Sequence, residues 1–270
     1  MPTMEANGQT LYHEVHGEGE PLLLVMGLAA DTMAWALQVP AFAAHYKTVI
    51  FDNRDVGRSS MAEGPYEITD MAQDSLALAD VLGLDSFHLI GASMGGAIAQ
   101  EIALAAPARV RTLTLAASFA AGSAWGRLLA KTWGARVQRM SREERVDELM
   151  LLTMSEAFFE YAEAVAWLRD LMLQNPHPQP PDAFARQLDA SSRHNAGERL
   201  ASVAMPTHVM GAEYDILLPV WKSRELAELI PGADLTIVEG SPHGINVERA
   251  EEFNRAVLEF LRERTATAPA

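Results

Sequence analysis

Three residue types, spaced far apart in this chain of 270 residues, could together activate a hydroxyl group for attack. Ser93 lies in Gly91-Ala92-Ser93-Met94-Gly95-Gly96, a Gly-x-Ser-x-Gly run. By composition alone such a run turns up in roughly one chain in ten of this length, so the spacing by itself decides little. Its surroundings decide more. The run follows an apolar stretch that reads as a strand and opens a stretch that reads as a helix. A serine on so tight a turn needs small residues two before and two after it, and the helix N-terminus beneath it favours negative charge at the reacting centre. A hydroxyl is a weak nucleophile until a base removes its proton. Of eight histidines, His243 sits in Gly240-Ser241-Pro242-His243-Gly244, a loop between the last strand pattern and the last helix. Loops at strand C-termini are where function-bearing side chains collect. His13, His16, His45, His88, His177, His194 and His208 fall in early strands, in loops, at strand starts or in the central helical stretch. The base in turn needs a carboxylate to orient it. Asp215, in Gly211-Ala212-Glu213-Tyr214-Asp215, follows the preceding strand pattern, with Glu213 as its rival. Residues 116–122, after the strand before that, contain no carboxylate. Ser, Asp, His is one of the known chain orders for such a set.

The elements that must position these groups read as an alternating pattern. A hairpin is expected first: Thr3–Ala6, an Asn7-Gly8 turn that tolerates positive φ, then Thr10–Val15. The continuous apolar runs 21–27, 47–52 and 87–93 suit strands buried on both faces of a parallel sheet. A helix is expected over Asp70–Leu82, with Thr69 or Asp70 as N-cap and Gly83 as its stop. Another runs over Met94–Ala106 and ends at Pro107. Strands follow at Arg111–Ala116, Thr207–Gly211 and Leu235–Glu239. A helix near Glu248–Arg264 and a frayed small-residue tail close the chain. Strands alternating with helices imply an α/β fold: a mostly parallel central sheet with helices on both faces.

Residues 123–203 break the alternation and read as all-helical. Trp125, Leu128, Leu129, Trp133, Val137 and Met140 recur at helical spacing. Ser141 to Glu144 reads as a capping box. A third helix is suggested by Phe158, Phe159, Val165, Leu168 and Met172, then a Pro-rich connector 175–181 and a helix around Asp182–Ser192. This stretch is nearly charge-balanced, with 10 basic and 11 acidic residues, whereas the rest of the chain holds 11 and 25. The expected organisation is a core of residues 1–122 and 204–270 with a helical cap, 123–203, inserted between two strands.

Composition excludes several roles. A net charge of −15 repels phosphate backbones and anionic membrane surfaces, so neither nucleic acid nor membrane is an expected partner. No apolar run approaches the ~20 residues of a membrane span, and the first residues carry no signal-peptide pattern. The absence of cysteine removes disulfides, zinc–thiolate sites and a thiol nucleophile, and suits a cytoplasmic location. No metal-ligand spacing stands out, and no cofactor is expected.

On Gly27, the segment Asp52-Asn53-Arg54-Asp55-Val56-Gly57-Arg58-Ser59, Gly91–Gly96, Asp215 and His243, the chain resembles the α/β-hydrolase superfamily. More narrowly it resembles the small capped carboxylesterases, over nearly its whole length. The resemblance implies Ser93 as nucleophile, His243 as base, Asp215 as its acid partner, and an oxyanion hole built from the backbone N–H groups of Leu28 and Met94. Family members usually read His-Gly-x after the first central strand. Here Met26-Gly27-Leu28 stands there, as in a subgroup that includes antibiotic methylesterases, so a polar anchor of that loop is replaced. Arg54 and Asp55 are expected to brace the loop below the site. The cap's Trp, Met and Phe residues are expected first as core. Met33, Trp35, Trp125, Trp133, Met154 and Phe158 are the candidates for an apolar substrate pocket. The expected activity is cleavage of carboxylic esters with neutral, short-to-medium acyl chains through an acyl-enzyme. The alternatives are a lactonase, acting on an enol-lactone or an N-acyl homoserine lactone, and a receptor that keeps the pocket without turnover. The expected partner is a small ester or lactone, and a homodimer is allowed.

Overall fold

The computed structural model describes residues 3–266, with side chains to 264. Eight strands form one sheet: β1 (Thr3–Ala6), β2 (Gln9–His16), β3 (Pro21–Val25), β4 (Lys47–Phe51), β5 (Phe87–Ala92), β6 (Val110–Ala116), β7 (Thr207–Ala212) and β8 (Asp234–Val238). Their spatial order is β1-β2-β4-β3-β5-β6-β7-β8. β1 and β2 pair antiparallel around the expected Asn7-Gly8 turn, β2 pairs antiparallel with β4, and every later pairing is parallel. The central strands β5 and β7 are buried throughout, as unbroken apolar runs require of strands covered on both faces.

The helices are α1 (Val39–Ala43), α2 (Ile68–Val81), α3 (Met94–Ala105), α4 (Ala124–Val137), α5 (Arg142–Thr153), α6 (Glu156–Phe159), α7 (Ala162–Gln174), α8 (Pro181–Arg193), α9 (Trp221–Leu229), α10 (Ile245–Glu248) and α11 (Ala250–Ala266). The start expected at Thr69 or Asp70 is two residues early in fact. Glu67 is the N-cap, and the Asp70 carboxylate accepts from its N–H at 2.7 Å, so Asp70 serves as the returning arm of a capping box. The capping box at Ser141 and Glu144 stands as expected. The closing helix is split: α10 makes one turn, then α11 begins at Ala250. The tail expected to fray, 267–270, lies outside the described residues. α1 and α9 are short and were not foreseen.

Two apolar layers flank the sheet. One packs α2, α3 and α9 on one face through residues such as Met71, Leu78, Ile98, Ile102 and Leu226. The other packs α11 and the α1 region on the opposite face through Trp35, Phe42, Phe253, Val257 and Leu261. Helices α4 to α8 lie between β6 and β7 and make two further clusters. Trp133 and Val137 of α4 meet Phe184 and Leu188 of α8, and Val146 and Met150 of α5 meet Leu168 of α7. The stripe expected on α4 holds only in its second half. Trp125 and Leu128 are exposed on a side of α4 turned away from α8, which runs beside α4 from Ser192 near Gly122 to Ala185 near Gly134. Among the described residues no helix is long and apolar enough to cross a membrane.

Burial lowers two histidines far below the ordinary imidazole value, both to about 4: His194, beside Gln100 and Glu101, and His208, beside Thr236. Because the unfolded chain takes up these protons at about pH 6.5 and the folded one resists until about 4, their stabilising effect is complete above 6.5. It is lost as pH falls through that window. Thermal midpoints measured from pH 7.5 to 4 are expected to decline below 6.5, and His208→Gln to flatten part of that decline. An unchanged slope in the variant would contradict the assignment.

Candidate active site

Ser93 occupies the junction of β5 and α3 with φ 56° and ψ −123°, a left-handed region that a side chain adopts only when surroundings compel it. Its N–H donates to Ala116 O at 2.9 Å, and its own carbonyl accepts from the Ser118 hydroxyl at 2.9 Å. The flanking glycines are required by close approach. A Cβ on Gly91 would collide with the Gly95 carbonyl, and one on Gly95 with the Val25 carbonyl. A larger residue at either place would push α3 off the sheet and move Ser93.

His243, on the loop after β8, brings Nε2 to 3.0 Å from Ser93 Oγ, and its Nδ1 lies 2.6 Å from Asp215 Oδ2. A carboxylate can only accept, so Nδ1 carries the proton and Nε2 is left as the acceptor facing the serine hydroxyl. Asp215 is itself oriented. Its other oxygen accepts from the N–H groups of Leu217 and Leu218 at 2.9 and 2.7 Å, and its side chain is fully buried. The rival Glu213 points elsewhere and accepts from Gly240 N at 2.8 Å, fastening the loop that carries His243. The arrangement can therefore take a proton from Ser93 and hold the resulting imidazolium beside a buried negative charge.

The Met26–Ala30 loop passes directly over the serine, since a Cβ on Gly27 would meet the Ser93 side chain. Leu28 borders the cavity in front of Ser93, and Met94 offers the first N–H of α3, one of the donors a helix leaves without an internal partner. The side chain of Met94 is buried in the core. Where the usual histidine would anchor this loop, Asn53 donates to Met26 O at 2.9 Å. The 52–59 segment braces the region as expected. Asp52 accepts from Thr32 N and Arg58 N, and Arg54 makes a buried two-pronged ion pair with Asp74. Burial raises the Asp52 carboxyl above its usual range, against the two N–H donors that hold it ionised.

A cavity of about 350 Å³ opens in front of Ser93 and His243, under α4, α5, α7 and α8. Met33, Trp133 and Met154 line it, as do Val137, Leu168, Met172 and Phe184. Three pocket expectations are corrected. Trp35 is fully buried against Phe253 in the core under the sheet, because the short helix carrying it turns its ring away from the cavity. Trp125 is exposed at the start of α4, outside the apolar cluster that Trp133 and Phe184 form. Phe158 packs among the cap helices against Phe159 rather than lining the cavity. The four charged residues on the wall all have partners: Asp31 accepts from Asn175, Glu148 from Trp133 and Arg136, and Arg142 and Arg145 donate to backbone carbonyls of the cap.

Gln187, Gln179 and Asn53 were not foreseen as part of this site. Gln187 is fully buried on the inner face of α8, between Ala183, Phe184 and Leu188. An amide in the apolar stripe of a strongly amphipathic helix was the legible signal.

With this geometry described, comparison with known proteins places the chain. A model of the alpha/beta hydrolase fold matches residues 20–250. The chain belongs to the alpha/beta hydrolase family. Among curated relatives, "Putative carbamate hydrolase RutD" of Azorhizobium caulinodans is 31% identical over 97% of this chain and 99% of its own. Among solved structures, the enol-lactonase of Burkholderia xenovorans LB400 superposes with a TM-score of 0.87 at 25% identity, covering 97% of this chain and all of that one. A thermophilic esterase of Thermogutta terrifontis superposes at 0.86 and 25% identity, over 98% and 97%. The chain is a hydrolase of this family.

Asp215→Asn is expected to leave the fold intact and to lower turnover by about 10⁴-fold, because the imidazole loses the partner that fixes its tautomer. Glu213→Gln should cost far less. Steady-state kinetics of both, with circular dichroism as a folding control, would reject the assignment if Glu213→Gln were the more damaging.

Proposed function

We propose that the protein hydrolyses carboxylic esters of neutral, short-to-medium acyl chains through an acyl-enzyme on Ser93. The observation that carries this reading is the unbroken chain of hydrogen bonds from Ser93 Oγ through His243 to Asp215, opening on an apolar cavity. In this reading His243 takes the hydroxyl proton as Ser93 attacks the carbonyl, and the carbonyl oxygen becomes an oxyanion facing the N–H groups of Leu28 and Met94. The imidazolium then protonates the departing alcohol. Water repeats the sequence on the acyl-enzyme, and Ser93 is restored.

The pocket supports a neutral, apolar acyl group. Met33, Trp133, Val137, Leu168 and Phe184 offer it apolar surface, and the wall charges Asp31, Glu148, Arg142 and Arg145 each hydrogen-bond within the protein. Arg127 and Arg136 do not line the cavity, and Arg136 pairs with Glu148; the cap cations that do line it, Arg142 and Arg145, are turned to backbone carbonyls of Met172, Asn175 and Gln179. A second reading keeps the same residues and changes the bond cleaved to that of a carbamate. It is favoured by the 31% identity to the RutD relative along nearly the whole chain. Lactone hydrolysis ranks behind the ester, because a tethered alcohol can re-attack before water reaches the acyl-enzyme.

Ser93→Ala should lower kcat on p-nitrophenyl butyrate by on the order of 10⁴-fold or more while the variant stays folded. Across p-nitrophenyl acetate, butyrate and hexanoate, kcat/KM of the parent should rise about fourfold per methylene until the cavity is full. A folded Ser93→Ala with parental activity would sink the reading. A neutral methyl carbamate or an N-acyl homoserine lactone turned over far faster than the ester of matched length would move it to the second bond type.

A further inference from the structure

The peptide between Gly27 and Leu28 carries one of the two N–H groups assigned above to the oxyanion. Nothing in its own sequence fixes its orientation: Gly27 turns freely and Met26 offers no polar side chain. The peptides on either side, by contrast, are both pinned by buried amides. Asn53 Nδ2 donates to Met26 O at 2.9 Å, and Ala29 N–H donates to Gln187 Oε1 at 3.1 Å. Ala29 itself stands at φ 62°, where a residue with a Cβ stays only if held.

Gln187 is well placed to hold it. Its side chain is fully buried, and its orientation is unambiguous. Nε2 donates to Arg54 O at 2.8 Å, a group that can only accept, while Oε1 receives Ala29 N–H, a group that can only donate. The same Oε1 accepts from Gln179 Nε2 at 2.9 Å, and Gln179 also donates to Asp55 O. Arg186, one residue earlier on α8, closes a two-pronged pair on the buried Asp55 carboxylate at 2.7 and 2.8 Å. One helix of the cap therefore grips both the loop over Ser93 and the 52–59 segment beneath it.

We propose that Gln187 is a positioning residue for the oxyanion hole: by holding Ala29 in its left-handed conformation it aims the Leu28 N–H at the reacting carbonyl, so the hole is complete only when the cap helix α8 is seated on the core. This rests on the serine-hydrolase reading above and adds to it a dependence of transition-state stabilisation on the cap. Gln187 acts through Ala29, and its effect belongs to the transition state, in which the carbonyl oxygen bears charge.

The test compares Gln187→Met, nearly isosteric but without the amide, with the parent on p-nitrophenyl butyrate. Inhibition is measured with a short-chain trifluoromethyl ketone, whose adduct on Ser93 places an oxyanion in the hole, and with the matching secondary alcohol, which does not. Expected are a fall in kcat of about 10- to 100-fold with KM changed less than threefold, and a comparable loss of ketone affinity without loss of alcohol affinity. Adding Ala29→Gly to Gln187→Met should restore part of kcat, since glycine adopts the positive φ unaided. If Gln187→Met does not fold, Gln187→Glu keeps an acceptor for Ala29 N–H and carries the same comparison, with a smaller expected loss of kcat and of ketone affinity. Equal losses for ketone and alcohol, unchanged kcat in a folded variant, or no rescue by Ala29→Gly would overturn the proposal. A parent that neither turns over the ester nor forms the ketone adduct would instead overturn the hydrolase reading itself, so the two failures are distinct.

Discussion

Ser93 stands in a backbone conformation that costs on the order of 1–3 kcal/mol, and much of the surrounding architecture serves to keep it there. The strain projects Oγ off the end of β5 instead of letting the side chain lie along the strand. It persists because three things converge on the turn. A hydrogen bond from Ser93 N–H to Ala116 O and one from the Ser118 hydroxyl to Ser93 O hold the peptides on either side, Gly91 and Gly95 let α3 approach β3 and β5 without a gap, and the buried faces of β5 and α3 leave no room to relax. Each of those depends on the parallel sheet order, because Ala116 and Val25 reach Ser93 only as ends of the strands flanking β5. The sheet is in this sense the support for one dihedral angle.

What surrounds that angle differs in how legible it was. The strands were readable because unbroken runs such as Leu22-Leu23-Leu24-Val25 can be satisfied only between two covering layers. Ser93, Asp215 and His243 were readable because each sits just past a strand of that kind, at the end of the sheet where loops converge. Distance in sequence was no obstacle, since the strand order brings β5, β7 and β8 to one edge of the site. Asp215 is set ahead of Glu213 by its place in the loop after β7, and the resemblance implies the same choice. In the structure Asp215 is the one that meets His243, held toward it by the backbone N–H groups of Leu217 and Leu218, while Glu213 accepts from Gly240 N.

The pocket was less legible for a physical reason. Apolar spacing says that a helix has a buried face, but not what buries it. Trp133 and Trp125 lie eight residues apart on α4, about 80° apart around it, yet one is buried against Phe184 and the other is in solvent, because α8 packs on the side that carries Ala130, Trp133 and Gly134. Trp35 has the composition of a pocket residue and the position of a core one. Gln187 presents the reverse case. A scan for chemistry passes over a glutamine inside a helix, and only its burial among apolar neighbours makes it informative.

The division of labour within the cap follows from these contacts. Its polar anchors reach loops and helices of the core, with His194 and Arg199 meeting Gln100 and Glu101 of α3. Gln179, Arg186 and Gln187 hold the Ala29 and 52–59 side, while on the other side Ser155 hydrogen-bonds Glu248 and Thr153 O accepts from Gly244 N, next to His243. The roof between these feet, with Val137, Leu168, Met172 and Phe184, makes contacts that are mainly apolar. Exchanging one roof side chain for another of similar volume typically costs under about 1.5 kcal/mol of packing. Removing a buried amide at a foot leaves its partners unsatisfied, typically at about 1–3 kcal/mol, and here it also frees a loop that frames the reacting carbonyl. The acyl pocket can therefore be reshaped through the roof while the feet keep the base and the oxyanion loop in place. On the serine-hydrolase reading, that separation leaves the acyl group to the roof and the chemistry to the feet.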